Sequence, residues 1–233
     1  MDERISTGIP GLDAVLNGGL IGGRVYLLKG GPGVGKTTLG MHFAMAGVAK
    51  GESVLYVTLE ELAANIRADF GRMGFPVNDP RFNLIDATPT VEKYVLMKDP
   101  FETFAEGLEA LRNAVVERYR EVRYSRIVID PITMLKLPAA SELDYRREFL
   151  AFMKSMARLR ITVLMTSELE GADVEEYLAD GVVEMLTFES HGRLMRGIRV
   201  KKLRGSSFDP AIHPYEITDR GIVVYHDRLL TDH

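Results

Sequence analysis

A glycine-rich segment in the N-terminal part of this sequence carries the residue types that bind phosphate. It follows the pattern G-x-x-x-x-G-K-[ST] and consists of Gly30, Gly31, Pro32, Gly33, Val34, Gly35, Lys36 and Thr37. The glycines let backbone N–H groups curl around phosphate oxygens without a side-chain clash. The lysine of such a loop reaches the β- and γ-phosphates, and the hydroxyl group after it can bind Mg²⁺. The segment predicts a phosphate-binding loop that extends from Gly31 to Thr38, with Lys36 as a catalytic cation and Thr37 as a metal ligand.

The context of the segment distinguishes this site from a plain glycine-rich turn. Apolar residues 25–28 precede it and are typical of a buried strand, while residues 38–49 after it have the pattern of a helix. A strand, a loop and a helix in this order place the positive end of the helix against the phosphates. A dinucleotide-binding pattern fits less well, because the glycines are not spaced as G-x-G-x-x-G. We therefore expect a P-loop here.

Acidic residues at the ends of two further apolar runs could complete the site. Asp130 ends one run and would hold Mg²⁺, although an aspartate at this place could also cap a turn before Pro131. Glu60 and Glu61 follow another run, and ligands of open parallel sheets bind beside the carboxyl ends of strands. Adjacent residues point in different directions, so only one of the two can orient the attacking water. We favour Glu60, with Glu61 as its helper or as the start of the helix. The alternative is that both are acids favoured at a helix N-terminus.

The elements that must position these residues alternate between short apolar runs and longer amphipathic stretches. Runs that are apolar on consecutive residues are typical of strands buried on both faces of a parallel sheet. The predicted strands cover residues 24–29, 53–58, 82–86, 125–130, 161–166, 181–188, 196–203, 213–218 and 221–225, and the predicted helices cover residues 36–49, 61–73, 100–122 and 141–159. We expect a single α/β domain over residues 1–233, with helices on both faces of a mostly parallel sheet and a C-terminal antiparallel extension.

The last of these helices has both a start signal and an apolar stripe. Ser141 is an N-cap candidate, and Asp144 stands where a capping box has its acid. We expect the stripe that faces the core to consist of Leu143, Leu150, Met153 and Ala157.

Composition excludes several classes of protein. The chain has 233 residues, of which 46% are hydrophobic and 27% are charged, so it can bury a sizeable core. It contains no cysteine, which excludes disulfides and thiolate metal sites. No apolar run reaches the roughly 18 residues of a membrane helix, and the first residues lack a signal-peptide pattern, so we expect a cytoplasmic protein. The net charge of −4 argues against a general binder of polyanions.

The sequence resembles the single-domain members of the KaiC-like branch of the RecA-type ATPases. Besides the P-loop, Glu60 and Glu61 stand where that family carries its catalytic glutamate pair, and Asp130 matches the Walker B acid. The other matching segments are residues 6–13, 18–20, 180–183, 202–205, 214–218 and 221–225. The resemblance implies a RecA-like fold that hydrolyses ATP with Mg²⁺ in a homo-oligomeric, usually hexameric ring. Lys202 and Arg204 would then reach the γ-phosphate bound by the neighbouring subunit.

The spacing of Lys202 and Arg204 agrees with such a role. They alternate along a predicted strand and so project from the same face, where two cations repel each other unless an anion lies between them. A solvated strand face is the alternative interpretation.

Two further functions remain open from the sequence. One is a recombinase paralogue that binds single-stranded DNA through loops at residues 136–147 and 168–177. The first loop has a net charge of +1 and the second a net charge of −5, so the second argues against binding nucleic acid phosphates. The other is a nucleotide-gated interaction module with little turnover and an unidentified protein partner. Ser167, after a predicted strand, could be a phosphate sensor or an ordinary turn residue.

Overall fold

The computed structural model describes residues 3–87, 102–135, 141–168, 174–190 and 192–230. Within these residues the strands are β1 (Arg4–Ile5), β2 (Leu20–Ile21), β3 (Val25–Gly30), β4 (Ser53–Thr58), β5 (Phe82–Asp86), β6 (Tyr124–Asp130), β7 (Thr162–Ser167), β8 (Gly181–Ser190), β9 (Arg193–Leu203), β10 (His213–Thr218) and β11 (Gly221–Val224). The helices are α1 (Pro10–Val15), α2 (Lys36–Ala49), α3 (Ala63–Arg72), α4 (Glu102–Glu121), α5 (Glu142–Arg158) and α6 (Val174–Leu178), with a short 3₁₀ turn at Ile132–Leu135.

Nine of the described strands form one sheet in the order β11-β10-β9-β8-β3-β7-β6-β4-β5. The strands from β8 to β5 in this order are parallel, and β8, β9, β10 and β11 pair antiparallel with one another. β1 and β2 form a separate antiparallel pair. This is an α/β fold of the RecA type with a C-terminal antiparallel extension, which confirms the fold class that the sequence predicts.

The core lies on both faces of the sheet because the central strands are apolar on consecutive residues. In β3, Tyr26 and Leu28 join a cluster on one face, while Val25 and Leu27 join a cluster on the other. Helices α2 and α3 contribute to the first cluster, and α4 and α5 contribute to the second. Helices therefore cover both faces, as expected. Within the described residues, each helix is too short or too polar to span a bilayer.

The buried stripe of α5 differs from the predicted one. Leu143 is 65% exposed and Ala157 is also exposed, whereas Leu150 and Met153 are half-buried. The residues of α5 that are buried instead are Tyr145, Phe149, Phe152 and Met156. The prediction was wrong for Leu143 and Ala157, because three aromatic side chains, which bury more apolar surface than Leu or Ala, decide which face turns inward. Met153 packs against the core, as predicted. The predicted cap is correct, since the Ser141 hydroxyl accepts a hydrogen bond from the Asp144 N–H at 3.1 Å.

Element boundaries otherwise shift by a few residues. The helix predicted over residues 61–73 begins at Ala63, so Glu60 and Glu61 lie in the turn before it. Part of the helix predicted over residues 100–122 lies outside the described residues. The short elements β1, β2, α1 and α6 were not predicted, because stretches of two to six residues carry too little periodicity to recognise.

Candidate nucleotide site

Four neighbouring parallel strands, β3, β7, β6 and β4, end at the same edge of the sheet. A cleft of about 640 Å³ opens there. The predicted site residues that line this cleft are Gly33, Gly35, Lys36, Thr37, Thr38, Glu60, Glu61 and Asp130. Residues that are far apart in the chain thus meet at one place, as the rule for parallel sheets anticipates.

The loop between β3 and α2 presents its backbone to the cleft. A side chain at Gly31 or Gly33 would meet no atom within 4 Å, so the loop faces open space there. Gly35 has a positive φ of 97°, and a Cβ at this residue would lie 2.9 Å from Ile217 Cδ1. The positive φ of the turn into α2 therefore favours glycine at residue 35, and a side chain there would also displace the tip of Ile217. This open, N–H-rich loop at the N-terminus of a 14-residue helix fits the phosphates of a nucleotide.

Gly31, Pro32 and Val34 of the loop are not among the residues that line the cleft. Pro32 is exposed, and Val34 is buried in the core. The Tyr215 hydroxyl on β10 donates a hydrogen bond to the Val34 carbonyl at 2.7 Å. The C-terminal antiparallel extension thus anchors the phosphate-binding loop from behind.

Lys36 is the first residue of α2, and only 6% of its surface is exposed. Its Nζ donates hydrogen bonds to the carbonyls of Gly30 at 2.9 Å and Gly31 at 2.8 Å. Nζ also lies 3.2 Å from Oε1 of Glu168, the residue after β7. The ammonium group therefore sits at the inner wall of the cleft.

Asp130 ends β6 and is 7% exposed. Its Oδ2 accepts a hydrogen bond from the Tyr56 hydroxyl at 2.6 Å, and its Oδ1 accepts one from the Thr166 hydroxyl. Asp130 and Thr37 line the same cleft and offer a carboxylate and a hydroxyl oxygen, the ligand type that Mg²⁺ prefers. No group of three or more acidic or histidine side chains within the described ranges could hold a metal alone. A Mg²⁺ ion here would therefore share its coordination with nucleotide phosphates and water, which is its usual habit.

Glu60 is exposed, and Glu61 is half-buried beside it. The turn that carries them is fixed by Thr58, whose hydroxyl donates to the Glu61 carbonyl at 2.6 Å and accepts from the Glu61 N–H at 3.2 Å. Burial raises the pKa of the Glu61 carboxyl, and the negative charges of Asp69, Asp130 and Glu60 raise it further. Both carboxylates lie at the cleft.

Lys202 and Arg204 do not line the cleft of their own chain. Lys202 pairs with Val182, and Val182 pairs with Leu27, so Lys202 is level with the first half of β3 whereas the P-loop follows the end of that strand. Both side chains hold the C-terminal end of α6. The Lys202 ammonium donates to the carbonyls of Glu176 at 3.1 Å and Tyr177 at 2.8 Å.

Arg204 binds the same end of α6. It donates to the carbonyls of Tyr177 at 3.2 Å and Leu178 at 3.4 Å.

Burial lowers the pKa of Lys202, and the Arg204 charge lowers it further. The two cations on this face therefore do not require an external anion, because helix carbonyls already accept hydrogen bonds from both.

Several functional positions were missed or misread in the sequence. Glu168 was assigned to an acidic loop, yet it lies in the cleft against Lys36. The position of Glu168 after a parallel strand, like that of Glu60, was the signal that could have identified it. Ser167 is buried, and no hydrogen-bond partner for its Oγ occurs among the described residues.

The acidic loop presents less negative charge than its sequence suggests. Glu175 is fully buried, and the Tyr145 hydroxyl donates to it at 2.6 Å. Glu176 pairs with Lys29 at 2.8 Å and with Lys201 at 2.7 Å. The negative charge of this loop therefore disfavours DNA binding less than the sequence predicts. Residues 136–140 and 169–173 of the two loops lie outside the described residues.

Comparison with known proteins gives consistent matches over nearly the whole chain. A family model described as "ATPase: KaiC" matches residues 5–228. The UPF0273 protein of Pyrococcus horikoshii is 32% identical over 249 residues, covering 99% of this chain and 97% of the relative. The UPF0273 protein of Methanopyrus kandleri is 35% identical over 239 residues, with 95% and 92% covered. That of Thermotoga maritima is 33% identical over 244 residues, with 97% of each covered.

Proposed function

The chain belongs to the KaiC family of ATPases, and from this premise we propose that it hydrolyses ATP with Mg²⁺ in the cleft at the carboxyl edge of its sheet. The observation that carries the proposal is the meeting of Lys36, Thr37 and Asp130 with Glu60 in one cleft. These residues come from three different strand ends, and together they supply a cation, two metal ligands and a carboxylate for water. Phosphoryl transfer depends on these groups to position the reactants and to stabilise charge.

The role of each residue follows from its place. The loop N–H groups and the N-terminus of α2 bind the phosphates, and Lys36 supplies positive charge to the β- and γ-oxygens. Thr37 and Asp130 would hold Mg²⁺, and the bound ion would supply positive charge to the phosphoryl oxygens. Glu60, at the open side of the cleft, orients the attacking water and accepts its proton.

We propose that Lys202 and Arg204 act on the nucleotide of a neighbouring copy in a ring. In the sheet, Lys202 is level with Leu27, which is three residues before Gly30, and β9 lies two strands away from β3. The backbone of Lys202 is therefore about 10 Å from Gly30 along the strands and about 10 Å across them. Arg204 is farther along in the same direction. This separation supports a role in another subunit, and residues 1–233 would act as one ATPase domain of that assembly.

Phosphate release and molar mass test the proposal together. The purified chain should release phosphate from ATP with Mg²⁺ and stop when EDTA is added. Light scattering should give a multiple of the 26.0 kDa chain mass in Mg-ATP. Failure to bind ATP would overturn the proposal. A strictly monomeric but active enzyme would overturn only the shared site.

A further inference from the structure

Both carboxylate oxygens of Asp130 accept hydrogen bonds from hydroxyl groups on the two flanking strands. β6 lies between β4 and β7 in the sheet. Tyr56 on β4 reaches Oδ2 at 2.6 Å, and Thr166 on β7 reaches Oδ1. Neither Tyr56 nor Thr166 is exposed. The carboxylate is therefore held from both sides by neutral, buried donors.

The Tyr56 side chain also lies close to the helix that carries Thr37. It lies against Gly40, where an added Cβ would stand 3.5 Å from the Tyr56 hydroxyl and 3.7 Å from its Cε2. The same Cβ would approach Val128 Cγ1 to 3.1 Å, so a side chain at residue 40 would press on this packing. Gly40 is three residues after Thr37 in α2. One phenol thus links the helix of the hydroxyl ligand with the strand of the acidic ligand.

We propose that Tyr56 is a positioning residue for the metal site, acting with Thr166 to fix the Asp130 carboxylate before the ion binds. Each carboxylate oxygen has two lone-pair sites, so one can accept from a buried hydroxyl while the other stays available to the cleft. Such outer partners fix the orientation of a ligand, and losing one typically costs 10–100-fold in metal affinity or activity. The inference rests on the proposed function, because it assumes that Asp130 binds Mg²⁺ together with a nucleotide.

A simpler alternative is that the hydrogen bond from the Tyr56 hydroxyl to Asp130 only provides a buried donor with an acceptor and has no effect on metal binding. In that case its removal would lower stability and leave the metal dependence of nucleotide binding unchanged. The two interpretations therefore differ in metal affinity, a readout that does not depend on hydrolysis.

The experiment measures Mn²⁺ binding to the full chain with a non-hydrolysable ATP analogue, by the loss of the free Mn²⁺ electron paramagnetic resonance signal. We expect Tyr56→Phe to raise the Mn²⁺ concentration at half-saturation by about 10-fold or more. Its affinity for the analogue in EDTA should match that of the parent, because the phosphate loop is untouched. Thr166→Val should act in the same direction, and Thr166→Ser, which keeps the hydroxyl, should restore the parent value.

Tyr145→Phe is the matched control. Tyr145 is 2% exposed and donates to the buried carboxylate of Glu175 at 2.6 Å, outside the cleft. It should leave Mn²⁺ half-saturation unchanged. The inference is overturned if Tyr56→Phe matches the parent, if Tyr145→Phe shifts the value equally, or if Tyr56→Phe loses the analogue in EDTA. A parent chain that binds the analogue but shows no effect of Mn²⁺ would overturn the proposed use of Mg²⁺ and this inference with it.

Discussion

Lys36 and Glu168 form an ion pair of 3.2 Å at the inner wall of the cleft, although they are 132 residues apart in the chain. Lys36 is 6% exposed and Glu168 is 42% exposed, so the carboxylate is the partner that can turn towards solvent. Phosphate oxygens, like the Glu168 carboxylate, form charge-assisted bonds with an ammonium group, so a bound phosphate would compete with Glu168 for Lys36. We therefore expect Lys36 to stay in place when a nucleotide binds, and Glu168 to give way.

Lys36→Ala should abolish nucleotide binding or turnover. The substitution removes the one side chain of the loop that brings positive charge to the β- and γ-phosphates. Calorimetric titration with ATP and a phosphate-release assay measure the two losses. Lys50→Ala is the control, since Lys50 is exposed at the other end of α2. Binding and hydrolysis by Lys36→Ala at the level of the parent would contradict the P-loop interpretation.

Glu60→Gln should bind Mg-ATP like the parent but hydrolyse it about 10²-fold more slowly or worse, because the amide cannot accept the water proton. Glu61→Gln should have a smaller effect. Single-turnover phosphate release separates the chemical step from binding. Glu142→Gln, an exposed acid of α5, serves as the neutral comparison. A large loss for Glu61→Gln with none for Glu60→Gln would reverse the assignment.

Arg204→Ala should keep ATP binding and lose most turnover, on the order of 10³-fold, as expected when an arginine finger is removed. Arg193→Ala, at an exposed position of β9, should remain active. Mixing Arg204→Ala with Lys36→Ala subunits should restore part of the activity, because some interfaces then pair an intact loop with an intact arginine. Mixed assemblies without any recovered activity would show that Arg204 does not act in trans.

Acid should weaken the fold through His42. Its Nε2 accepts a hydrogen bond from the Ile222 N–H at 2.8 Å, and its ring packs edge-on against Phe75. Burial lowers the pKa of His42 from 6.5 to about 4. Below pH 6.5 the unfolded chain binds a proton that the folded chain refuses. The contribution of neutral His42 to the free energy of unfolding is therefore complete above pH 6.5. It is lost as the pH falls towards 4, which lowers the free energy of unfolding by up to about 3 kcal/mol.

Urea unfolding between pH 7.5 and pH 4.5 measures this effect. His42→Gln cannot take up the proton, so its unfolding free energy should fall less steeply with acid than that of the parent. His226→Gln removes an exposed imidazole and should follow the parent curve. Equal slopes for His42→Gln and the parent would exclude His42 as the cause.

The P-loop, Glu60 and Asp130 could be located from the sequence because each belongs to a contiguous run with a recognisable strand beside it. The contacts of Asp130 with Tyr56 and of Lys36 with Glu168 could not, since both depend on which strands become neighbours in the sheet. Strand order depends on the packing of the whole chain and cannot be predicted from a local sequence pattern. The prediction of the buried stripe of α5 was wrong in part for a related reason. Which apolar residues of a helix are buried depends on the surface against which the helix packs.

Helix α6 is bound from two directions. The Glu176 side chain pairs with Lys29, the residue before Gly30, and the carbonyls at the end of the helix accept from Lys202 and Arg204. Any shift of α6 therefore changes the partners of both the phosphate-loop strand and the two cations. Thermodynamic linkage makes such coupling reciprocal. If Arg204 contacts a neighbouring subunit, as proposed, and nucleotide binding changes the strength of that contact, the contact must change the affinity for the nucleotide by the same factor.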